Sequence, residues 1–123
     1  MRRWKMVSML YKRGTIFPAR LNSARGTEPG KIRPVLILQA DDLTAAGHTT
    51  VVIVPLTTNL IDAAPLRFRI SKREKLHNDS DLMCDQIRAV DIRRLGTERI
   101  ATLTHEEMLQ IETRISLILS FSC

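Results

Sequence analysis

Apolar positions fall in short blocks spaced like strands as far as residue 91, and like a helix after residue 104. Pro34-Val35-Leu36-Ile37-Leu38-Gln39 is a nearly continuous apolar run of strand length. Thr49-Thr50-Val51-Val52-Ile53-Val54 is rich in β-branched residues, which suit a pleated surface, and Pro55 is expected to end that strand. Leu66-Arg67-Phe68-Arg69-Ile70 alternates apolar and basic residues, which predicts a strand with one wet, basic face. Arg13-Gly14-Thr15-Ile16-Phe17 reads as a short strand entered through a glycine, and Leu82 to Asp91 as one further strand. Two glycines and a proline among small polar residues make 22–32 a loop, and 41–48 is a second loop with a turn at Gly47.

The period then changes. Thr104-His105-Glu106-Glu107 has the form of a capping box, with Thr104 as N-cap and Glu107 as its reciprocal partner. Met108, Ile111, Ile115 and Ile118 follow at helical spacing as one apolar stripe. Leu109, Leu117 and Phe121 lie off it, so the helix either meets a second partner or is a well-buried terminal helix. Five or six short strands and one C-terminal helix predict a mainly β protein, a small barrel with helical packing.

Length and composition narrow the class. The 123 residues suit one domain with one core. Aromatic residues are 4%, so the core is built from Ile, Leu, Val and Met, and stacking platforms for nucleic-acid bases are scarce. Residues 1–33 hold nine basic side chains against the single acid Glu28, a net +8, while the remainder is net −2. A basic N-terminal third suits a polyanionic partner, and equally a solvated basic surface. Residues 1–12 read as a basic extension, disordered or foreign to the native chain, and 13–123 as one domain. Met6 and Met9 are alternative starts. No apolar run is long enough to span a membrane or to form a signal peptide, and Cys84 and Cys123 make no metal pattern. The chain reads as cytoplasmic, with reduced thiols. It holds no internal repeat, glycine-rich phosphate loop or HExxH zinc motif.

The blocks also follow a known order. Arg13-Gly14-x-Ile16 opens the first strand, and Gly26-x-Glu28-x-Gly30 leads into Arg33-Pro34-Val35-Leu36-Ile37. Val54-Pro55-Leu56-Thr57-Thr58 ends the central strand. Ser80 precedes Asp85-Gln86-x-Arg88-x-Val90-Asp91. In order and spacing this resembles the MazF/PemK/Kid toxins of type II toxin–antitoxin modules, over residues 13 to about 120. The resemblance implies an SH3-like barrel of the MazF/PemK/CcdB type and a homodimer. It also implies cleavage of single-stranded mRNA without metal or other cofactor, and inhibition by a cognate antitoxin.

Such cleavage uses the substrate's own 2′-hydroxyl as nucleophile. A proton must leave that hydroxyl, another must reach the departing 5′-oxygen, and charge on the phosphorane must be stabilised. The resemblance points to Arg33 as the phosphorane's cation, since arginine stays protonated and binds phosphate bidentately. It points to Thr57 as a hydroxyl donor, in preference to Thr58. Asp85 matches an aspartate proposed as base in the Kid-like branch. The arginine expected two residues before it is Met83 here, which puts that version in doubt. Asp85 would share a strand face with Met83 and Ile87, as a raised-pKa base or as a structural carboxylate. Glu28, Thr58, Ser80, Gln86 and Arg88 are expected at the RNA surface. A second departure is Thr15, where the family often has an acid. The histidines His48, His77 and His105 fall outside the matching blocks and read as surface or cap residues. Two other functions fit the same barrel, a CcdB-like gyrase poison and a non-catalytic nucleic-acid-binding regulator.

Overall fold

The computed structural model describes residues 10–21 and 31–121. Strands β1 (Thr15–Arg20), β2 (Ile32–Ile37) and β3 (Thr50–Thr57) are antiparallel neighbours. Ile16 pairs with Leu36 and Leu36 with Val54, while Phe17 pairs with Val35 and Val35 with Pro55. Side chains alternate along a strand, so these rows face opposite sides of the sheet. Both are buried. Ile16, Leu36, Val54 and Leu56 belong to one apolar cluster, and Phe17, Val35, Ile37, Val51 and Ile53 to another. A sheet covered on both faces accounts for apolar runs that do not alternate.

A short helix α1 (Asp41–Ala45) occupies the expected loop at 41–48. Beyond β3 come β4 (Arg67–Ile70), β5 (Ser80–Met83), β6 (Arg88–Asp91), β7 (Ala101–Thr102) and helix α2 (His105–Leu119). The strands form one curled sheet in the order β4-β5-β3-β2-β1-β7, with β6 also paired to β3. Gly14, at φ +92, turns the chain into β1 with backbone bonds to Ile37 and Leu103. Few residues other than glycine adopt that conformation.

Two boundaries differ from expectation for one reason. Pro55 does not end β3, which runs on to Thr57. The Leu38 N–H donates to the Val52 carbonyl, so even-numbered residues of β3 direct their backbone groups toward β2 and odd-numbered ones toward the other edge. Pro55 therefore lacks its N–H on that other edge, where β6 stops at Ile53↔Arg88 and β5 starts at Leu56↔Leu82. The stretch Leu82 to Asp91 is accordingly two strands, separated by a 3-10 turn at Cys84–Gln86. Counting back from Leu56↔Leu82, Ile53 would face Asp85; it faces Arg88 instead.

Helix α2 closes the first cluster with Met108, Ile111 and Ile115, and Ile118 packs at its margin. Its capping box forms as expected. Thr104 Oγ1 accepts from the Glu107 N–H at 3.1 Å, and Glu107 Oε1 from the Thr104 N–H at 2.9 Å. Glu107 also takes both Nη atoms of Arg73, at 2.5 and 2.7 Å, which ties the helix start to the loop after β4. The Arg114 guanidinium lies 4.6 Å from the centre of the Phe68 ring on β4. Leu109, Leu117, Leu119 and Phe121 face solvent in the single chain. The second cluster is closed by Val90, Leu95 and Tyr11, whose ring meets Phe17 edge-on at 4.8 Å. Tyr11 falls inside the stretch expected to be an extension, so packing begins before the expected boundary at residue 13.

Gly96 fixes the approach of the 3-10 turn Ile92–Arg94 to β1. Its N–H donates to the Pro18 carbonyl at 2.8 Å, and its carbonyl accepts from the Tyr11 hydroxyl at 3.0 Å. A Cβ there would stand 2.6 Å from Cγ of Pro18, a rigid ring. Gly96→Ala is expected to cost about 1–3 kcal/mol, as overpacking does. Urea unfolding with an unchanged midpoint would contradict this packing.

Candidate active site

Pairing between β2 and β3 stops at Val35↔Pro55, while Ile32, Arg33 and Pro34 stay paired to β1 alone. The two strands part there, and a cleft of about 320 Å³ opens between them. Its floor is apolar, with Leu56, Leu76 and Ile100. Its polar lining carries Lys31, Arg33, Thr57, Thr58 and His77, with Ser80 buried in the wall. A second depression of about 230 Å³ shares Lys31 and Arg33 with the first and adds Pro55, Met83, Gln86 and Arg88.

Arg33 is half-buried as the second residue of β2, opposite Ala19 of β1. Among the described residues its one hydrogen bond is a long one, Nη1 to the Leu56 carbonyl at 3.4 Å. Most of its donors therefore remain for a ligand. Thr57 is the last residue of β3, and its Oγ1 accepts from the Asn59 N–H at 3.1 Å. That bond holds the oxygen in place and leaves its proton available to donate outward. Across the sheet Thr57 lies between Arg33 on β2 and Ser80 at the start of β5, because β3 lies between those strands.

Arg33, Thr57, Thr58 and Ser80 thus come together in one cleft, and Gln86 and Arg88 join Arg33 in the second. The Ser80 hydroxyl is committed to the Asn78 carbonyl at 3.0 Å and its side chain is buried, so it braces a turn. Asp85 lines neither cleft. It is exposed in the 3-10 turn and does not share a strand face with Met83 and Ile87, because the strand is broken at that point. Glu28 lies outside the described residues, as do Gly26 and Gly30. His77, expected at the surface, is exposed and also stands at the mouth of the cleft. Nothing in its sequence surroundings marks it beyond the apolar Leu76 before it, which is buried in the core and carries it to the rim.

Asp81, which no sequence pattern singled out, organises the wall behind Thr57. It is 1% exposed and pairs with Thr57 across β3 and β5. Its carboxylate accepts from the Ile61 N–H at 2.8 Å, from Arg69 Nε at 3.0 Å and from Arg67 Nη1 at 3.5 Å. Burial pushes its pKa up; the Ile61 N–H and the two guanidiniums outweigh burial and hold it below the ordinary aspartate value. The basic face expected on β4 is therefore paired: Arg69 also reaches Asp62, at 3.2 Å. The only free thiol among the described residues, Cys84, is buried, and burial pushes its pKa to about 11, so it stays protonated at neutral pH.

A curled antiparallel sheet backed by one helix, with a cationic and hydroxyl-rimmed cleft where two strands part, defines a small β protein suited to an anionic ligand. The chain belongs to the PemK-like, MazF-like toxins of type II toxin–antitoxin systems, whose family model matches residues 12–119. It is 32% identical over 116 residues to a protein named Endoribonuclease MazF from Staphylococcus epidermidis, covering 92% of this chain and 94% of that one. It is also similar to the solved structure of Mycobacterium tuberculosis toxin MazF-mt6, at TM-score 0.73 and 23% identity, over 89% of this chain and 99% of the other. A MazE-MazF structure from Deinococcus radiodurans superposes at TM-score 0.76 with 17% identity, over 92% and 98% of the two chains. Among the described residues, no helix is long and apolar enough to cross a membrane.

Asp81→Asn keeps the shape and removes the charge. At pH 7 it is expected to cost on the order of 1–3 kcal/mol, the range for hydrogen bonds to a charged group, reduced by the partial exposure of Arg69. Because the folded pKa is depressed, the stabilisation is present above the ordinary aspartate range near ~4 and is lost as pH falls through the folded value. The difference in melting temperature between parent and variant should therefore narrow in acid. A gap that stays constant from pH 7 to pH 3 would contradict the assignment.

Proposed function

We propose that this toxin is a metal-independent endoribonuclease that cleaves single-stranded mRNA through attack of the substrate's 2′-hydroxyl, leaving a 2′,3′-cyclic phosphate and a 5′-hydroxyl. The observation that carries the reading is that Arg33 and Thr57 reach one cleft from adjacent strands. The name of the Staphylococcus epidermidis relative supports the same class of reaction. A phosphate over Thr57 would have the Arg33 guanidinium beside it and the Thr57 hydroxyl directed at a non-bridging oxygen. Charge developing on the phosphorane then meets donors already in place, so little reorganisation is needed. Lys31 in the first cleft and Arg88 in the second add cationic contacts for flanking phosphates, which position the strand without reading its sequence. Thr58 and Gln86 supply polar groups for base edges. A gyrase poison or a non-catalytic regulator would leave the Arg33 and Thr57 arrangement unused.

Cleavage of single-stranded RNA is expected to continue in EDTA, and cleavage abolished by EDTA and restored by magnesium would overturn the reading. Arg33→Ala should lower the single-turnover rate by about 10²–10³-fold, as loss of one oxyanion donor does. Arg33→Lys should recover only part, since a point charge does not reproduce two parallel hydrogen bonds. Thr57→Ser should retain more activity than Thr57→Ala.

The same reading includes a cognate antitoxin as inhibitor, as the MazE-MazF pairing in the Deinococcus radiodurans structure suggests, and a homodimer acting in the cytoplasm. Leu109 and Leu117, respectively 47% and 65% exposed on α2, give the dimer apolar surface to bury. A specific interface covers more than about 1,000 Å². Sedimentation at micromolar concentration should give twice the 14.0 kDa chain mass, and a monomer would refute the dimer.

A further inference from the structure

The cleft has an excess of proton donors and a shortage of acceptors. Among its described lining residues the charged side chains are Lys31, Arg33 and Lys75, and no carboxylate is present. Arginine and lysine hold their protons at neutral pH and cannot take one from a 2′-hydroxyl. Ser80 is committed to the Asn78 carbonyl, and Asp81 is buried in its ion pairs behind the wall. Asp85 lines neither cleft. The imidazole of His77 is the one described side chain lining the cleft that offers a basic nitrogen lone pair to accept that proton.

Its mounting suits the task. The loop between β4 and β5 is braced by the Lys72 N–H donating to Asp79 Oδ1 at 2.8 Å, by paired backbone bonds between Arg73 and Leu76, and by the Lys75 N–H donating to the Ile100 carbonyl. Leu76 anchors it in the core. The strand order puts Arg33 on one side of Thr57 and this loop on the other. In-line displacement needs attacking and departing oxygens on opposite sides of phosphorus, so a phosphate over Thr57 has room for a base on the His77 side.

We propose that His77 is the general base of the cleavage reaction, a catalytic residue beyond Arg33 and Thr57; the inference rests on the endoribonuclease reading. The neutral imidazole takes the 2′-hydroxyl proton as the 2′-oxygen bonds to phosphorus. The bond from phosphorus to the 5′-oxygen breaks, that oxygen takes a proton from water in the open cleft, and the imidazolium returns its proton to solvent. The step consumes no co-reactant.

The charged groups around His77 are Lys72, Lys75 and Asp79 of its own loop, Lys31 just before β2, and Arg33 of β2. Lysines and arginines ionise well above neutrality and carboxylates well below it, so a rate change between pH 5 and pH 8 isolates the imidazole. The test is single-turnover cleavage in EDTA by the full chain. The parent rate should rise with unit slope through the acid range and level off near neutrality. His77→Gln and His77→Ala should lose that limb and about 10²–10⁴-fold in rate, with affinity for a 2′-deoxy analogue and melting temperature unchanged. Added imidazole should restore part of the His77→Ala rate. A substrate with a 5′-sulfur leaving group, which departs without protonation, should not rescue either variant. Full rescue by that substrate would make His77 the acid instead and overturn the proposal, as would a His77→Gln variant with the parent rate and pH limb. A parent chain that cleaves no RNA would remove the endoribonuclease reading itself, and the base with it. A cleaving parent with an indifferent His77 would remove only the base.

Discussion

Strand β3 runs for eight residues, and along the edge away from β2 it must be hydrogen-bonded past a proline that offers that edge no donor. The chain meets that constraint by covering the edge with two strands in succession. β6 serves the first half and β5 the second, and the 3-10 turn at Cys84–Gln86 steps between them opposite Pro55. Much of the architecture depends on this step. It sends β5 outward to pair with β4 and β6 back over the second apolar cluster, and it moves Asp85 off the sheet. On the opposite edge, β2 leaves β3 beyond the same proline, which exposes the Leu56 carbonyl to Arg33 and opens the cleft.

The cleft is therefore built from strand ends, and its polar groups are held from behind. Thr57 is fixed in front by the Asn59 N–H and across the sheet by its pairing with Asp81. Asp81 absorbs the charge of Arg67 and Arg69 on β4. Arg33, with Lys31 beside it, stays turned toward a ligand. A buried carboxylate with several donors is stable as an anion. The cationic character of the rim is thus a product of which guanidiniums are paired and which are not. The net charge of the chain does not decide it.

Several features were legible from residue order. The strands around residues 35 and 53 follow from unbroken apolar and β-branched runs, and the start of α2 from Thr104 and Glu107, because these signals act within a few residues. The stripe at Met108, Ile111 and Ile115 correctly marked the face of α2 that packs on the sheet. Arg33 and Thr57 were found as candidates through resemblance to a family, and the folded chain places both at one cleft. Other features turn on partners remote in sequence. Pro55 looked like a strand end because a missing N–H matters only on the edge it faces. Leu82 to Asp91 looked like one strand because the break answers to that proline, about thirty residues earlier. Tyr11 looked like part of a basic tail, while its ring contact with Phe17 and its hydroxyl bond to Gly96 bring it into the core.

Sequence by itself determined the class of fold, the stripe of the terminal helix, the excess of basic residues near the start and the family. Each is a property of composition or of spacing along the chain. Only the tertiary structure decided that His77 stands at the cleft while Asp85 does not, and that Asp81 is the buried anion of the wall. Those outcomes are set by register. A three-residue step between β5 and β6 moves a carboxylate out of line, and a braced loop anchored by Leu76 carries an imidazole to the rim. Register comes from pairing strands far apart in the chain, where no local pattern of side chains reports which residue will face which.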